Sequence, residues 1–335
     1  MCYFSSFMSR RSGLLFLPLL VGLGGCGGSS SPTTPTSPPP PPGTAVTVIV
    51  FYDENGNGAR DPDEIIRIPD VEVGVGGRTA RSEKGTGRAV VGGVQAGSYP
   101  VGLRGETLPP FYAPGAPVTV QVPTAEGLQV FVPLVLPLGR SNHPNQYNAF
   151  GDSITRGDGP FDSKAYPAKL EAKLAAHFGG ATVRSRGAEA TNSYEALERL
   201  ERNLANDAYV LILYGTNDWH IPSCQDAPPC ETVENLRRVV RRVKAAGSLP
   251  FLATLTPANP AIVPGRNQWI ATVDNGLKAM AREEGAFLVD LNLAFQNQGG
   301  DLSRFFVDDI HLNEAGHEVM ANGFFEAIAH GRAAP

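Results

Sequence analysis

Short apolar segments alternate with amphipathic segments of helical period from Asn145 almost to the C-terminus, and this alternation restricts the fold more than any other feature. Strands are predicted at 147–150, 181–185, 209–214, 250–255 and 287–291, and helices at 166–178, 194–204, 233–246, 269–284 and 313–329. Strands that alternate with helices form parallel sheets with both faces covered. The sequence therefore predicts an α/β domain at 140–331, a three-layer α/β/α sandwich around a five-stranded parallel sheet.

The segment before it, residues 45–139, has a different pattern. Short alternating runs such as Val46–Phe51, Val71–Val75 and Val118–Val122 are separated by Gly and Pro, and no long helical period interrupts them. This pattern predicts a small all-β sandwich domain built from antiparallel strands.

The N-terminal segment has the features of an export signal. Arg10 and Arg11 precede the apolar stretch Leu14–Leu23, which is too short for a permanent membrane span. The ending Leu-Gly-Gly-Cys resembles the lipobox of bacterial lipoproteins, which implies a signal peptide at 1–25 and a lipid on Cys26. An ordinary secretory signal with a chance cysteine is the alternative. We expect a lipid-anchored protein of the bacterial cell envelope, at the outer membrane and facing periplasm or exterior, with a Ser/Thr/Pro-rich linker at 26–44.

Charge and cysteine content narrow the possible partners. The chain has 335 residues and a formal net charge of -5, so electrostatics gives no reason to expect nucleic acid as a partner. Of the four cysteines, Cys224 and Cys230 remain after the N-terminal two are assigned to the signal and the lipid. In an oxidising compartment we expect them to form a small disulfide loop. A zinc site is the competing interpretation, but paired histidines are not near them in sequence.

Four short blocks carry the chemistry. They are Gly151–Ile154, Arg186-Gly187, Gly215–Asp218 and Asp308–His311. The first three each follow a predicted strand, and sites of open α/β sheets collect at the carboxyl ends of strands. Together the blocks supply a hydroxyl nucleophile, donors for an oxyanion, and a carboxylate with an imidazole, which are the groups that acyl transfer requires.

Asp308 and His311 are three residues apart, so one turn can direct both toward the sheet edge. His311 would then take the proton of Ser153 while Asp308 holds the imidazole tautomer. Asp309 is a rival carboxylate, and the sequence does not decide between the two. A strand-ending turn is the plain alternative for Gly215 and Asn217.

These blocks resemble those of the SGNH hydrolases, also called the GDSL family of esterases and lipases, over residues 145–330. The resemblance implies Ser153 as nucleophile, His311 as base and Asp308 as its partner, with no cofactor for catalysis. It also implies an oxyanion hole made of the Ser153 N–H, the Gly187 N–H and the Asn217 amide. The second block departs from the family, because Ser185 and Ala190 stand where Asn and a second Gly are usual.

A calcium-like loop lies at the start of the β-rich segment. Carboxylate and amide oxygens recur at the ligand spacing of a twelve-residue calcium loop, in Asp53, Asn55, Asn57, Asp61 and Glu64. The loop resembles that of B-type repeat domains in bacterial surface adhesins, which implies a prealbumin-like sandwich and a structural Ca²⁺. The alternative is a polar hairpin that binds no metal.

The sequence thus predicts an exported, lipid-anchored serine esterase that hydrolyses carboxylic esters, with acetylated glycans among its candidate substrates. A lysophospholipase or lipase-type esterase keeps the same chemistry with a lipid substrate. A surface adhesion or binding protein with an inactive hydrolase domain is the alternative from another class.

Overall fold

The computed structural model describes residues 43–139, 143–157, 159 and 162–331. The predicted signal peptide, Cys26 and the linker as far as residue 42 lie outside them. Among the helices that are described, none is both long enough and apolar enough to cross a membrane.

The β-rich part begins directly after the predicted linker. Its strands are β1 (Thr44–Tyr52), β2 (Glu72–Val75), β3 (Arg78–Arg81), β4 (Arg88–Val94), β5 (Gly97–Pro100), β6 (Gly102–Leu103), β7 (Ala113–Pro114), β8 (Thr119–Val122) and β9 (Gln129–Val135). They form sheets of order β4-β1-β9-β7, β3-β2-β6 and β5-β8. The expectation of purely antiparallel strands was wrong, because β1 pairs with β9 in parallel while β4 flanks its other side.

The α/β part contains the predicted parallel sheet. Its strands are β10 (His143–Gly151), β11 (Thr182–Gly187), β12 (Asp207–Leu213), β13 (Leu249–Ala253) and β14 (Phe287–Val289). They follow the order β11-β10-β12-β13-β14, and every neighbouring pair is parallel. The five-stranded sheet of a three-layer sandwich is confirmed.

Eight helices accompany these strands in the described chain. They are α1 (Ser153–Arg156), α2 (Tyr166–Phe178), α3 (Ser193–Asn203), α4 (Pro222–Asp226), α5 (Thr232–Ala245), α6 (Arg266–Glu284), α7 (Leu291–Gln296) and α8 (Glu314–His330). The five long ones correspond to the predicted helices. The other three have at most six residues, which is too short to show a helical period.

The central strand β12 explains the layering, because all seven of its residues are buried. Successive side chains of a strand point to opposite faces. Leu211 therefore packs in the core that contains α2 and α8, and Ile212 in the core that contains α3, α5 and α6. The basic segment at 237–244 of α5 is a solvated helix face, because its valines are buried while Arg241 pairs with Glu284 and Arg242 with Glu201.

The β-rich part packs against the α2 and α8 face of the sandwich, and apolar side chains of both parts form one continuous core. The Phe111 and Phe251 ring centroids lie 5.7 Å apart. The Arg67 N–H donates to the Phe178 carbonyl at 3.1 Å, and the Gly85 N–H donates to the His177 carbonyl at 2.9 Å. The last carbonyls of a helix have no partner within the helix, so the β-rich part caps the end of α2.

Candidate active site

The first block forms a tight turn between β10 and α1. The Asp152 carboxylate caps α1 by accepting the Ile154 N–H at 3.0 Å, and Ser153 is the first helical residue. A Cβ on Gly151 would lie 2.1 Å from Thr155 Oγ1 and 2.7 Å from the Leu213 carbonyl oxygen. Only glycine fits there, because side-chain and backbone atoms already fill the space. Ser153 thus stands at the carboxyl end of β10, with its N–H ahead of the intrahelical hydrogen bonds.

The structure brings Ser153, His311 and Asp308 into one hydrogen-bonded chain. His311 Nε2 lies 2.9 Å from Ser153 Oγ, and His311 Nδ1 lies 2.7 Å from Asp308 Oδ2. Asp308 Oδ1 accepts the backbone N–H groups of Ile310 at 2.9 Å and His311 at 2.6 Å. Partial burial raises the pKa of Asp308, but these backbone bonds and the imidazole outweigh it and hold the pKa below its ordinary value. The carboxylate is therefore ionised at neutral pH.

Asp309 points to a different partner, which resolves the choice that the sequence left open. Its Oδ2 accepts from Arg266 Nη1 at 3.3 Å. Asn259 holds the backbone of the same loop, because its N–H donates to the Asp309 carbonyl at 2.8 Å and its side-chain amide to the Asp308 carbonyl at 3.0 Å. Only Asp308 is left to orient His311.

Arg266 is a buried arginine that sequence reasoning missed. Its side chain has no exposed surface, and Nη2 donates to the Thr216 carbonyl at 2.6 Å while Nη1 reaches Asp309. Arg266 thus ties the loop of the third block to the loop of the fourth. Arg266 precedes the predicted helix at 269–284, where an arginine usually indicates a solvated position, so the sequence carried no signal for this role.

Asn217 lies where the sequence predicts it. It belongs to a 3₁₀ turn, Thr216–His220, which follows β12 after Gly215, and the Gly215 φ of +116° is one that glycine adopts readily. One Asn217 amide hydrogen donates to the Thr191 carbonyl at 2.9 Å. This bond fixes the amide plane and leaves the second hydrogen for another acceptor. Asn217 lines the same cavity as Ser153 and His311.

The assignment of the Gly187 N–H to the oxyanion hole was wrong. Gly187 pairs with Gly151, and the Ala188 N–H donates to the Gly151 carbonyl at 3.1 Å. Alternate N–H groups of a parallel strand point to the same neighbour, so the Gly187 N–H points away from β10. Glycine is needed at position 187 for packing, because a Cβ there would lie 2.2 Å from the backbone nitrogen of Arg156.

Ala190 shares a cavity with Ser153, and Gly187 does not line that cavity. Ala190 lines the cavity that Ser153, Asn217 and His311 also line, and its φ is +54°. An alanine in the left-handed region is strained by roughly 1 kcal/mol relative to glycine. The sequence contained a signal for this role, because Ala190 stands where the second block of the GDSL family usually has its second glycine.

Two buried carboxyl groups support the loops. Burial raises the pKa of Asp152 to about 7, against the opposing bond from the Ile154 N–H. Burial also raises the pKa of Asp218, which accepts the Ser193 N–H at 2.8 Å and the Thr232 hydroxyl at 2.5 Å. Asp218 thereby joins the 3₁₀ turn of Asn217 to the starts of α3 and α5.

The predicted disulfide between Cys224 and Cys230 is present. It closes a loop beside the 3₁₀ turn, and the Trp269 indole N–H donates to the Cys224 carbonyl at 2.7 Å. Trp219 packs edge-on against Trp269 with ring centroids 5.6 Å apart. The competing zinc interpretation for these cysteines is therefore dropped.

Two cavities meet at Ser153 and His311. The larger, of about 740 Å³, contains Asn217, Ala190 and His220, and the smaller, of about 460 Å³, contains Asp308 and Lys164. The apolar side chains that line them are Ala190, Ile221 and Ile310 in the larger cavity and Ile154, Val307 and Leu312 in the smaller. Glu189 borders both cavities and pairs with Arg156 at 2.5 Å. The site is therefore a cleft in two parts, and most of the side chains that line it are polar.

The calcium-like loop connects β1 to the rest of the β-rich part. Asp53 and Glu64 are buried, and the Asp53 carboxylate accepts the N–H groups of Gly56 and Gly58, both at 2.8 Å. The side-chain amide nitrogens of Asn55 and Asn57 donate to Asp61 Oδ2 at 2.7 and 2.9 Å. Three of the predicted ligand positions thus meet at one point. The donor set of three carboxylates and two amides fits a hard cation such as Ca²⁺.

The α/β/α sandwich and the serine, histidine and aspartate at its sheet edge define a carboxylic ester hydrolase. The chain belongs to the GDSL-like Lipase/Acylhydrolase family, whose family model matches residues 149–319. This confirms the family resemblance that the four blocks indicated.

Individual relatives match the same region. The isoamyl acetate-hydrolyzing esterase of Saccharomyces cerevisiae is 25% identical over 168 residues, which are 44% of this chain and 68% of that protein. Among solved structures, LAE5, an alpha/beta hydrolase enzyme from the metagenome of Lake Arreo, Spain, is 24% identical with a TM-score of 0.48, covering 57% of this chain and 98% of its own. A variant of Axe2, an acetyl xylan esterase from Geobacillus stearothermophilus, is 20% identical with a TM-score of 0.49, covering 56% and 96%.

Proposed function

We propose that this chain is an exported, lipid-anchored serine esterase that removes short acyl groups from polar alcohols, with acetylated glycans as the substrate class. The chain of hydrogen bonds from Ser153 Oγ through His311 to Asp308 supports the serine mechanism. The divided cleft supports short acyl groups, because its few apolar side chains stand among a larger number of polar ones in both cavities.

The reaction follows from this geometry. Ser153 Oγ attacks the ester carbonyl carbon and its proton passes to His311 Nε2, while Asp308 holds Nδ1 and stabilises the imidazolium. The negative oxygen accepts from the Ser153 N–H, the Ala190 N–H and the free amide hydrogen of Asn217. The alcohol leaves with the proton from Nε2. Water, deprotonated by the same nitrogen, then attacks the acyl-serine, and release of the acid returns the proton to Ser153.

An acetyl group is the acyl part that we favour. The yeast relative is named for hydrolysis of isoamyl acetate, which is an acetyl ester of a small alcohol. A lysophospholipid would require room for a long acyl chain, and the scattered apolar side chains of the cleft do not provide it. The lysophospholipase alternative therefore ranks second.

The test is a chain-length series with a serine control. Turnover of p-nitrophenyl acetate, butyrate and octanoate is measured for the wild type, for Ser153→Ala, and for Ser98→Ala, which replaces an exposed serine of β5. We expect acetate to be hydrolysed fastest, loss of at least about 10⁴-fold in Ser153→Ala, and no change in Ser98→Ala. Fastest turnover of the octanoate would favour the lipid substrate. Absence of serine-dependent turnover would favour the adhesion alternative.

Natural substrates form the second arm of the test. Acetate release from acetylated xylan and from peptidoglycan fragments is compared with fatty-acid release from lysophospholipid by the same preparation. Glycan deacetylation that disappears in Ser153→Ala supports the proposed substrate class.

Export and anchoring rest on the N-terminal sequence alone. The apolar stretch Leu14–Leu23 behind two arginines and the cysteine at position 26 support a lipoprotein signal. Metabolic labelling with a fatty-acid analogue, compared between the wild type and Cys26→Ser, tests this part. Label in the wild type alone is the expected result, and equal labelling would exclude lipidation at this residue.

Calcium at the Asp53–Glu64 loop would rigidify the β-rich part. The buried Asp53 and Glu64 and the convergence at Asp61 support the site. We expect Ca²⁺ added to chelator-treated protein to raise the melting temperature of the wild type and to leave that of Asp53→Ala unchanged. Asp63→Ala, which removes a loop carboxylate that is not at a ligand position, serves as the control. An unchanged melting temperature of the wild type would count against a metal.

A further inference from the structure

A group of three possible metal ligands lies outside the active site, where the β-rich part meets the ends of two helices. It consists of Asp70, His177 and His330, each with one ligand atom within 4.8 Å of the others. Asp70 precedes β2, His177 is in the last turn of α2, and His330 ends α8. Within the part of the chain that the structure describes, no other three His, Cys, Asp or Glu side chains meet in this way.

His177 is the observation that an ordinary ion pair does not explain. Its side chain is only 2% exposed, and neither ring nitrogen has a hydrogen-bond partner among the described residues. Buried polar atoms are nearly always partnered, so an unpartnered pair of ring nitrogens indicates a missing partner. Phe178 and Phe325 pack edge-on against the ring, at centroid distances of 4.6 and 5.3 Å, and fix its plane.

The geometry at His330 is that of a metal-ligating histidine. Its Nδ1 lies 3.1 Å from Glu326 Oε2, and its Nε2 lies 3.4 Å from Asp70 Oδ2. A carboxylate on one ring nitrogen directs the other nitrogen to a metal, as in carboxylate–histidine–zinc triads. Ligands about 2.0–2.1 Å from a tetrahedral Zn²⁺ are roughly 3.4 Å apart, which matches the separation of His330 Nε2 and Asp70 Oδ2.

We infer that Asp70, His177 and His330 bind one zinc-class divalent cation, with Glu326 orienting His330 and a water molecule as the fourth ligand. Two imidazoles and a carboxylate form a donor set that suits Zn²⁺ and its neighbours and that Ca²⁺ and Mg²⁺ disfavour. Of the charged groups around His177, Asp70 acts on it through space with one sign and His330 and Lys84 with the other. The cation joins the loop before β2 to the ends of α2 and α8.

Metal binding is measured directly and not through activity. Untagged full-length protein is stripped with a chelator, saturated with Ca²⁺ to fill the Asp53 loop, and titrated with Zn²⁺ against a chromogenic chelator. We expect one Zn²⁺ per chain, and a visible absorption band of tetrahedral coordination when Co²⁺ replaces it. At a hundredfold excess over Kd, zinc should raise the melting temperature by roughly 5 °C.

Variants decide where the metal binds. His330→Gln and the half-buried Asp70→Asn should lower zinc affinity at least 100-fold, and Glu326→Gln roughly 10- to 100-fold. His220→Gln, which replaces an exposed histidine of the active-site cleft, should bind zinc as the wild type does. Turnover of p-nitrophenyl acetate should be equal in Asp70→Asn and the wild type.

Two outcomes would overturn the inference. One is a stoichiometry of zero for the wild type. The other is undiminished zinc binding by both His330→Gln and Asp70→Asn, which would place the metal elsewhere. In that case, loss of zinc binding in His311→Gln alone would assign the metal to the catalytic histidine. Glu326→Gln retains all three ligands, so it distinguishes weaker ligation from a failure to fold.

Discussion

Asp308 and Asp309 are adjacent, yet the structure predicts opposite consequences when each is replaced by asparagine. In Asp308→Asn the two backbone N–H groups of Ile310 and His311 still require an oxygen at the Oδ1 position. The amide nitrogen must then occupy the Oδ2 position, 2.7 Å from His311 Nδ1, and donate to it. This places the imidazole proton on Nε2, where it faces Ser153 and cannot accept the serine proton.

The magnitude follows from the exposure of the pair. An asparagine in the buried carboxylate position of a serine protease costs about 10⁴ in kcat. Asp308 and His311 have side chains that are 47% and 41% exposed, so water relieves part of the tautomer penalty. We expect kcat to fall about 10³-fold on p-nitrophenyl acetate, with a melting temperature close to that of the wild type.

Asp309→Asn should affect stability instead. It removes the only charged partner that the structure gives to the fully buried Arg266 among the described residues, while Asp309 itself is 36% exposed. Breaking a fully buried ion pair lowers the free energy of unfolding by about 3–5 kcal/mol. Because Asp309 is partly exposed, we expect a loss of about 2 kcal/mol here, or roughly 5 °C in melting temperature. Turnover should stay within about tenfold of the wild type. Equal activity losses in the two variants, or a larger loss in Asp309→Asn, would show that Asp308 is not the partner of His311.

Three further variants test the rest of the site and the fold. Asn217→Ala should lower kcat about 10²- to 10³-fold with little change in KM, and a loss below tenfold would exclude its amide from the oxyanion hole. Gly151→Ala should destabilise the protein by about 3 kcal/mol or more in urea unfolding, because its Cβ would lie 2.1 Å from Thr155 Oγ1, and wild-type stability would contradict this contact. Burial raises the pKa of Asp274 to about 7, so the unfolded chain releases this proton near pH 4 while the native protein keeps it. Wild-type stability should therefore fall between pH 4 and pH 7 relative to Asp274→Asn, by up to about 4 kcal/mol, and parallel pH profiles of the two melting temperatures would be the contrary result.

Sequence periodicity predicted the α/β sandwich because its elements are long and amphipathic. Helix α2 was predicted with the same ends that the structure shows, at Tyr166 and Phe178. Strand β4 was not predicted, because Gly92 and Gly93 interrupt its apolar pattern. The parallel pairing of β1 with β9 was not predictable either, since it joins residues about eighty positions apart and leaves no local signal.

The sequence predicted the residues of the site whose positions follow from the strands and turns next to them. It did not predict groups whose positions depend on strand register or on contacts distant in sequence. Ser153, His311, Asp308 and Asn217 meet at the cleft as expected, because each follows a strand or turn whose direction the fold dictates. The N–H of Gly187 was assigned wrongly, because the direction of a backbone N–H depends on strand register. Arg266 escaped notice since its two acceptors are a backbone carbonyl and a residue 43 positions away.

The junction between the β-rich part and the sandwich has a consequence for dissecting this enzyme. The change in sequence pattern near residue 140 suggests that the chain could be truncated there. However, one apolar core includes residues of both parts, and two N–H groups of the β-rich part cap a helix of the sandwich. A hydrolase fragment lacking residues 43–139 would expose the apolar surface of α2 and α8. It would also remove the N–H groups that donate to the carbonyls of His177 and Phe178. The hydrolase part is therefore not an independent domain. A fusion of it to another protein would need a segment that covers the same apolar face.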